Sequence, residues 1–209
     1  MKIRHIAFLI SALLHPLLLP TLAFAWLFYL SPFGLQNLPY EAKKYILTNI
    51  FLLTFLLPMT SMLVVYFLGG IRDLTLDKAQ DRHLPFLLTT AFYTLTTYLF
   101  AQQAYLNRFP VIVLIIGSIS LSIAFVTIIT FFWKISAHST GISGVVGFML
   151  ALIFKQGDST LLYPVLFCIV LAGLLMSARL YLNAHTPAQI LGGTLLGFSL
   201  CFSSIMLLL

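Results

Sequence analysis

Seven long apolar runs make up most of this chain, and they restrict its fold more than any other feature. They cover about residues 6–30, 44–69, 84–104, 110–133, 139–155, 160–178 and 187–208. As helices that rise 1.5 Å per residue, most of them can cross the roughly 30 Å of hydrocarbon in a bilayer. The sequence therefore predicts an all-α, polytopic transmembrane bundle of six to seven spans.

The composition supports an integral membrane protein. Of the 209 residues, 61% are hydrophobic and only 8% are charged, whereas a soluble domain is about one quarter charged. The runs do not alternate between apolar and polar residues as the strands of a β-barrel do. In such a chain, the formal charge of +6 indicates anionic headgroups or an anionic substrate rather than nucleic acid. We expect a single membrane domain over residues 1–209.

The N-terminus has two interpretations. Basic residues, an apolar run and Ala23-Phe24-Ala25 imitate a secretory signal peptide with its cleavage site. The apolar run continues to Leu30, however, so we predict a first transmembrane helix. Pro16 and Pro20 should kink this helix, because proline removes a backbone donor and clashes with the preceding turn.

Three polar clusters follow the second, fourth and sixth runs, at residues 72–85, 134–138 and 179–189. With seven spans, all three lie on one membrane face. Ionisable groups near a membrane are costly and usually functional, so we expect one site. Seven of the eleven Lys and Arg residues lie on this face, which favours the cytoplasm. If five of these seven residues bind substrate, only two remain as topology signals on this face, against four Lys and Arg residues on the other. The same rule then favours the opposite orientation.

The third cluster contains a clear helix start. Thr186 suits the N-cap, Pro187 the first helical position, and Gln189 the third position of a capping box. His185 lies just before this cap, where the positive end of the helix dipole favours a neutral imidazole. Gln189 therefore has two interpretations: it closes the capping box, or it serves His185.

The second cluster places His138 at another helix start. Ser136 can cap that helix, and the backbone N–H groups that follow form an anion site. Simpler structural readings are that Ser136 is only a cap and that Lys134 offsets a helix dipole. Two histidines with cations suit a phosphoryl group, since one can attack phosphorus while the other protonates the leaving oxygen. Because no carboxylate or thiolate accompanies either histidine, we predict no metal and no cofactor.

These residues resemble the type 2 phosphatidic acid phosphatase superfamily, which shares its site with vanadium haloperoxidases. Ser177-Ala178-Arg179, His185 and Gln189 resemble the motif S-R-x5-H-x3-D, and Ile135-Ser136-Ala137-His138 resembles P-S-G-H. The first motif, K-x6-R-P, fits less closely. Its residues occur in 78–85 at compressed spacing, with Arg72 as a reserve cation. The resemblance covers residues 70–209 and leaves two leading transmembrane helices in 1–69.

The resemblance implies a site and an activity. His185 matches the nucleophile that forms a phospho-histidine, and His138 matches the general acid. The implied phosphate-binding residues are Lys78, Arg82, Ser136, Ala137 and Arg179. The implied substrate is a lipid phosphate, in the cytoplasmic membrane of a bacterium with the site on its periplasmic face.

Three residues depart from the motifs: Ile135 replaces Pro, Ala137 replaces Gly, and Gln189 replaces Asp. The Asp of the family orients the nucleophile and stabilises its imidazolium. A glutamine carbonyl can orient the ring, but it supplies no negative charge. The sequence therefore predicts a more neutral His185 and slower or shifted chemistry.

The sequence leaves two other functions open. Asp73, Asp77 and Asp81 recur every four residues, so on a helix they would share a face and could hold Mg²⁺ for a prenyl- or phosphatidyl-transferase. That reading gives the two histidines no role. A non-catalytic lipid-binding or transport protein on the same fold is the third possibility. It rests on Gln189, which replaces the Asp of the family's motif.

Overall fold

The structure is a computed structural model that describes residues 2–30, 35, 38–73, 80–157 and 159–209. The apolar runs in these residues are helical. The helices are α1 (Lys2–Leu13), α2 (Leu19–Ala25), α3 (Tyr40–Phe51), α4 (Leu57–Phe67), α5 (His83–Ala101), α6 (Pro110–Thr130), α7 (Ala137–Gln156), α8 (Leu162–Tyr181) and α9 (Pro187–Leu208). A π-helical turn, Leu52–Leu56, joins α3 to α4, and a second one, Trp26–Leu30, extends α2.

Six helices within the described ranges are long and apolar enough to cross a membrane. They are the continuous α3–α4 segment and α5 to α9, with α8 extended at its start by a short 3₁₀ turn. The predicted all-α membrane bundle is therefore confirmed. Buried side chains from Leu19 to Ile205 belong to one hydrophobic cluster, so the leading helices and the later ones share a core.

The predicted first span, 6–30, is not one continuous helix. α1 ends at Leu13 and α2 begins at Leu19, with Pro20 in its first turn. Pro16 lies between them and has no N–H to continue the helical ladder. The predicted kink is thus a complete break. The apolar segment Leu19–Leu30 is only about 18 Å long at helical rise, which is shorter than the hydrocarbon layer.

α7 and α9 pack closely because glycines line their contact. A Cβ on Gly147 would lie 2.6 Å from the Phe198 carbonyl oxygen, and a Cβ on Gly197 would overlap the carbonyl group of Thr140. Small residues allow membrane helices to approach in this way. This contact matters for function because His138 lies at the start of α7 and His185 directly precedes α9.

Gly197→Ala is expected to destabilise the protein by about 1–3 kcal/mol, because the added methyl group must push α9 away from backbone atoms of α7. Gly173→Ala on α8 is the matched control, since a Cβ there meets nothing within 4 Å. Thermal unfolding of both variants in the same detergent would measure the difference. Equal unfolding temperatures would show that the α7–α9 contact tolerates separation.

Candidate active site

One cavity of about 160 Å³ is lined by Arg82, His138, Arg179 and His185, which come from separate segments. Arg82 precedes α5, His138 lies in the first turn of α7, Arg179 lies in the last turn of α8, and His185 precedes α9. The three predicted polar clusters therefore meet at one end of the bundle. Much of the remaining wall is apolar, with side chains that include Leu19, Met62, Phe86, Ile119, Ile123 and Val126.

A tight connection between α8 and α9 positions His185. Asn183 adopts a left-handed conformation with φ of 52°, a conformation in which asparagine is favoured and which commonly ends helices. The Ala184 N–H donates to the Arg179 carbonyl oxygen at 3.1 Å. Thr186 then caps α9, so only the four residues 182–185 separate the end of α8 from the cap of α9.

Gln189 has both of its predicted roles at once. Its Oε1 accepts the Thr186 backbone N–H at 3.2 Å, which completes the predicted capping box, and it also contacts His185 Nδ1 at 3.1 Å. Since the backbone N–H can only donate, the side-chain atom facing both groups is the oxygen. His185 must therefore carry its proton on Nδ1. This tautomer leaves the lone pair of His185 on Nε2.

The surroundings of His185 keep it neutral. Burial, which leaves only 8% of the residue exposed, and next the positive charge of Arg82 lower its pKa from 6.5 to about 4. The hydrogen bond to Gln189 raises the pKa, while the charges of Arg179 and Lys134 lower it further. At neutral pH the imidazole is therefore unprotonated at Nε2, the state a nucleophile requires.

His138 is positioned by the N-terminal cap of α7 and by a hydrogen bond to α1. Ser136 is fully buried, and its hydroxyl accepts the Ser139 N–H at 3.3 Å as the N-cap of α7. His138 Nε2 lies 3.2 Å from the Ser11 carbonyl oxygen. A carbonyl oxygen can only accept, so His138 carries a proton on Nε2. The ring nitrogen left for a substrate is Nδ1.

A backbone hydrogen bond also joins the second motif, residues 135–138, to the third, residues 177–189. The Ser136 N–H donates to the Gln189 carbonyl oxygen at 3.3 Å. This bond crosses between the start of α7 and the first turn of α9, where the glycine contact brings the helices close. The relative position of His138 and His185 is thus set by main-chain contacts as well as by side-chain packing.

The predicted phosphate-binding residues divide into three groups. Arg82, Ala137 and Arg179 line the cavity, and Arg82 is only 5% exposed. Ser136 is not among the described residues that line it, because its side chain faces the helix cap. Lys78, the remaining candidate, lies outside the described residues.

Two other cations lie away from this cavity. Arg72, the reserve candidate, is exposed, and it is not one of the cavity's described lining residues. Lys134 lines a second cavity, of about 380 Å³, together with Asn183 and Gln189. His185 lines both the cavity with the arginines and the one with Lys134.

The predicted helical face of aspartates is not present at its described ends. Asp73 lies in irregular chain, and Asp81 lies in the three-residue 3₁₀ turn Gln80–Arg82. Asp77 lies outside the described residues. Within the described chain, no group of three or more His, Cys, Asp or Glu side chains is placed to hold a metal ion.

His15 is a cavity residue that sequence reasoning missed. It lies at the break between α1 and α2 and lines the same cavity as the two arginines. Its ring meets the ring of His138 edge-on, with centroids 5.7 Å apart. The signal was present in the sequence: a histidine directly before Pro16, inside an otherwise apolar run. An ionisable residue at a proline break is a functional candidate.

No family model, curated protein or solved structure matches this chain with significance.

Gln189→Glu tests how the lack of charge on Gln189 affects His185, because this isosteric change adds one negative charge beside the imidazole. A carboxylate beside Nδ1 favours imidazolium, so the pKa of His185 rises above its value of about 4. We expect the acidic limb of the proposed activity to move up by about one to two pH units, because a nearby opposite charge has an effect of that size. With His185 as the proposed nucleophile, we expect activity to be lost as pH falls through this pKa, since imidazolium has no lone pair to attack with.

The pH dependence of kcat/KM for both proteins would measure this shift. Lys134→Met is a useful comparison, because removing a nearby positive charge should move the limb in the same direction by a smaller amount. An acidic limb that stays in place in Gln189→Glu would show that it does not report His185.

Proposed function

We propose that this protein is an integral-membrane lipid phosphate phosphatase. It hydrolyses a lipid phosphate monoester or diphosphate without a metal ion, through a phospho-histidine at His185. The observation that carries this proposal is the cavity in which His138, His185, Arg82 and Arg179 meet a largely apolar wall. A lipid phosphate has the matching parts, an anionic group and a hydrocarbon chain. The resemblance to type 2 phosphatidic acid phosphatases agrees with this reading.

Binding follows from the two parts of the cavity. The hydrocarbon chain packs against apolar side chains such as Phe86, Ile123 and Val126. The phosphoryl oxygens face the guanidinium groups of Arg82 and Arg179, whose fork of donors suits phosphate. The first amides of α7, at Ala137 and His138, have no acceptor within their own helix and supply further donors.

The first chemical step transfers the phosphoryl group to His185. Its Nε2 attacks phosphorus, an N–P bond forms, and the bond from phosphorus to the lipid oxygen breaks. His138, as imidazolium, gives its Nδ1 proton to that oxygen, which leaves as an alcohol or, from a diphosphate, as a lipid monophosphate. The phosphate dianion favours this protonated state of His138. Gln189 keeps the nucleophile's Nδ1–H in place throughout.

The second step returns the enzyme to its starting state. His138, now neutral, accepts a proton from water at Nδ1 as the water oxygen attacks phosphorus, and the N–P bond breaks. Inorganic phosphate leaves, and His185 regains its lone pair. The phosphorylated ring of His185 carries positive charge that Gln189 meets only with a carbonyl dipole. This intermediate is therefore less stabilised than it would be beside a carboxylate.

The membrane and the orientation belong to the same proposal. We place the protein in the cytoplasmic membrane of a bacterium, with the site on the periplasmic face. The substrate candidates are phosphatidic acid, phosphatidylglycerol phosphate, a polyprenyl diphosphate and a lipid A phosphate. All four combine a phosphate group with long hydrocarbon chains, the two parts that the polar and apolar walls of the cavity suit.

Phosphate release from these four lipids by the purified protein in detergent tests the proposal. We expect at least one to be hydrolysed, at a rate that excess EDTA leaves unchanged. Loss of activity in EDTA, restored by Mg²⁺, would favour the transferase that uses Asp73, Asp77 and Asp81. Lipid binding without phosphate release from any of the four would favour a non-catalytic lipid-binding protein.

A further inference from the structure

The break in the N-terminal segment is built into the candidate site. Ser11 is one of the last residues of α1, where carbonyl groups have no partner within the helix. Its oxygen accepts the Nε2–H of His138 at 3.2 Å. Four residues later, His15 lines the cavity and contacts the ring of His138. The segment 11–15 therefore holds a site residue and adds another.

The local hydrogen bonding of His15 defines its chemistry. The Leu17 backbone N–H donates to His15 Nδ1 at 3.3 Å, across the turn that Pro16 forces. A nitrogen that accepts a hydrogen bond carries no proton, so the neutral ring has its proton on Nε2. His15 is thus held as a donor through Nε2. It is not a base, because the lone pair on Nδ1 is already engaged.

The surroundings of His15 indicate what it would donate to. Arg82 and Arg179 line the same cavity as His15. Two cations and a neutral N–H donor are suited to an oxyanion, and a neutral donor adds a hydrogen bond without adding to the repulsion between the cations. His185, by contrast, has its Nε2 lone pair available for attack.

We propose that His15 is a phosphoryl-oxygen ligand of this cavity, and that the N-terminal segment therefore completes the site. The proposal rests on the proposed function in that the anion is the phosphoryl group of the substrate. His15 lies outside all three motifs of the resemblance, so it defines a fourth contribution to the site, from a segment those motifs do not cover.

Two substitutions distinguish the role of the Nε2–H donor of His15 from the role of its Nδ1 in the turn at Pro16. In His15→Asn, the amide oxygen occupies the place of Nδ1 and can still accept the Leu17 N–H, but the donor at Nε2 is lost. In His15→Gln, the amide nitrogen reaches the place of Nε2 and restores a donor there. His5→Asn is the matched control, because His5 is an exposed histidine on the same segment.

The experiment is a calorimetric titration of the purified full chain in detergent with inorganic orthovanadate and with inorganic phosphate. We expect His15→Asn to weaken the binding of both anions about tenfold, as loss of one hydrogen bond to an anion does. His15→Gln should stay within about threefold of the unmodified protein, and His5→Asn should bind as it does. Unfolding temperatures of the four proteins would show that each variant folds.

Each outcome decides a different claim. Unchanged anion binding in His15→Asn, or equal losses in the Asn and Gln variants, would overturn the role of His15, while hydrolysis by the unmodified protein would leave the proposed function standing. Anion binding that depends on His15, without hydrolysis of any lipid phosphate, would support the site and overturn the phosphatase. Absence of anion binding in the unmodified protein would overturn both.

Discussion

His185→Asn is expected to lower phosphate release by at least about 10³-fold, because the variant removes the proposed nucleophile and little else. The asparagine amide nitrogen can occupy the place of Nδ1 and donate to Gln189 Oε1, so the start of α9 keeps its hydrogen bonds. The lone pair on Nε2 has no counterpart in asparagine. Phosphate release under saturating lipid phosphate would measure the loss.

The matched control for this prediction is His5→Asn, which makes the same change at an exposed position on α1. We expect it to retain the activity of the unmodified protein. His185→Ala should be as inactive as His185→Asn, although it also leaves the oxygen of Gln189 with one donor fewer. Activity of His185→Asn within about tenfold of the unmodified protein would rule out covalent catalysis at this residue.

His138→Gln is expected to have the second largest effect, about 10²- to 10⁴-fold on lipid phosphates, which is the usual contribution of a general acid. Glutamine can place its amide nitrogen where Nε2 lies and still donate to the Ser11 carbonyl oxygen, so the link to α1 is kept. The proton on Nδ1 is lost, and the lipid oxygen must then leave as an alkoxide.

The leaving group provides the control for His138. An aryl phosphate such as p-nitrophenyl phosphate releases a stable phenolate that needs little protonation. We therefore expect His138→Gln to slow the release of p-nitrophenolate in the first turnover far less than the release of a lipid alcohol. Equal losses for both substrates would show that His138 acts on binding or on the fold, not as an acid.

The helix start beside His185 could be predicted from the sequence because its signals are local. A proline after a threonine, with glutamine two positions further along, specifies a helix start through backbone hydrogen bonds that involve only neighbouring residues. The structure has that capping box. The alternation of spans then brought His138, Arg179 and His185 to one end of the bundle, since successive transmembrane helices reverse direction.

Other features depend on contacts that no local pattern contains. Gln189 was expected to act either as a cap or as a partner of His185, and the choice disappears because one oxygen accepts from both donors. Ser136 was expected to bind phosphate or to act only as a cap, and its hydroxyl does accept a hydrogen bond as the cap of α7. Both outcomes depend on the direction of a single side chain, which residue spacing does not determine.

The N-terminal segment shows a different limit of structure prediction from sequence. Its prolines predicted a kink in one helix, yet the chain breaks into α1 and α2. Composition could not show this, because a broken segment and a kinked span are equally apolar. His15 consequently enters the cavity from a region that lies outside the family motifs. A proline break next to an ionisable residue is the pattern that would have predicted it.

The most direct test of the central claim is to trap the intermediate on His185. The protein is mixed with phosphate-labelled aryl phosphate, quenched in alkali, where phospho-histidine is stable, and digested to locate the label. We expect label on the peptide that contains His185, more of it in His138→Gln because that variant lacks the base for the second step, and none in His185→Asn. Label on another residue, or hydrolysis by the unmodified protein with no labelled protein in either it or His138→Gln, would contradict the account.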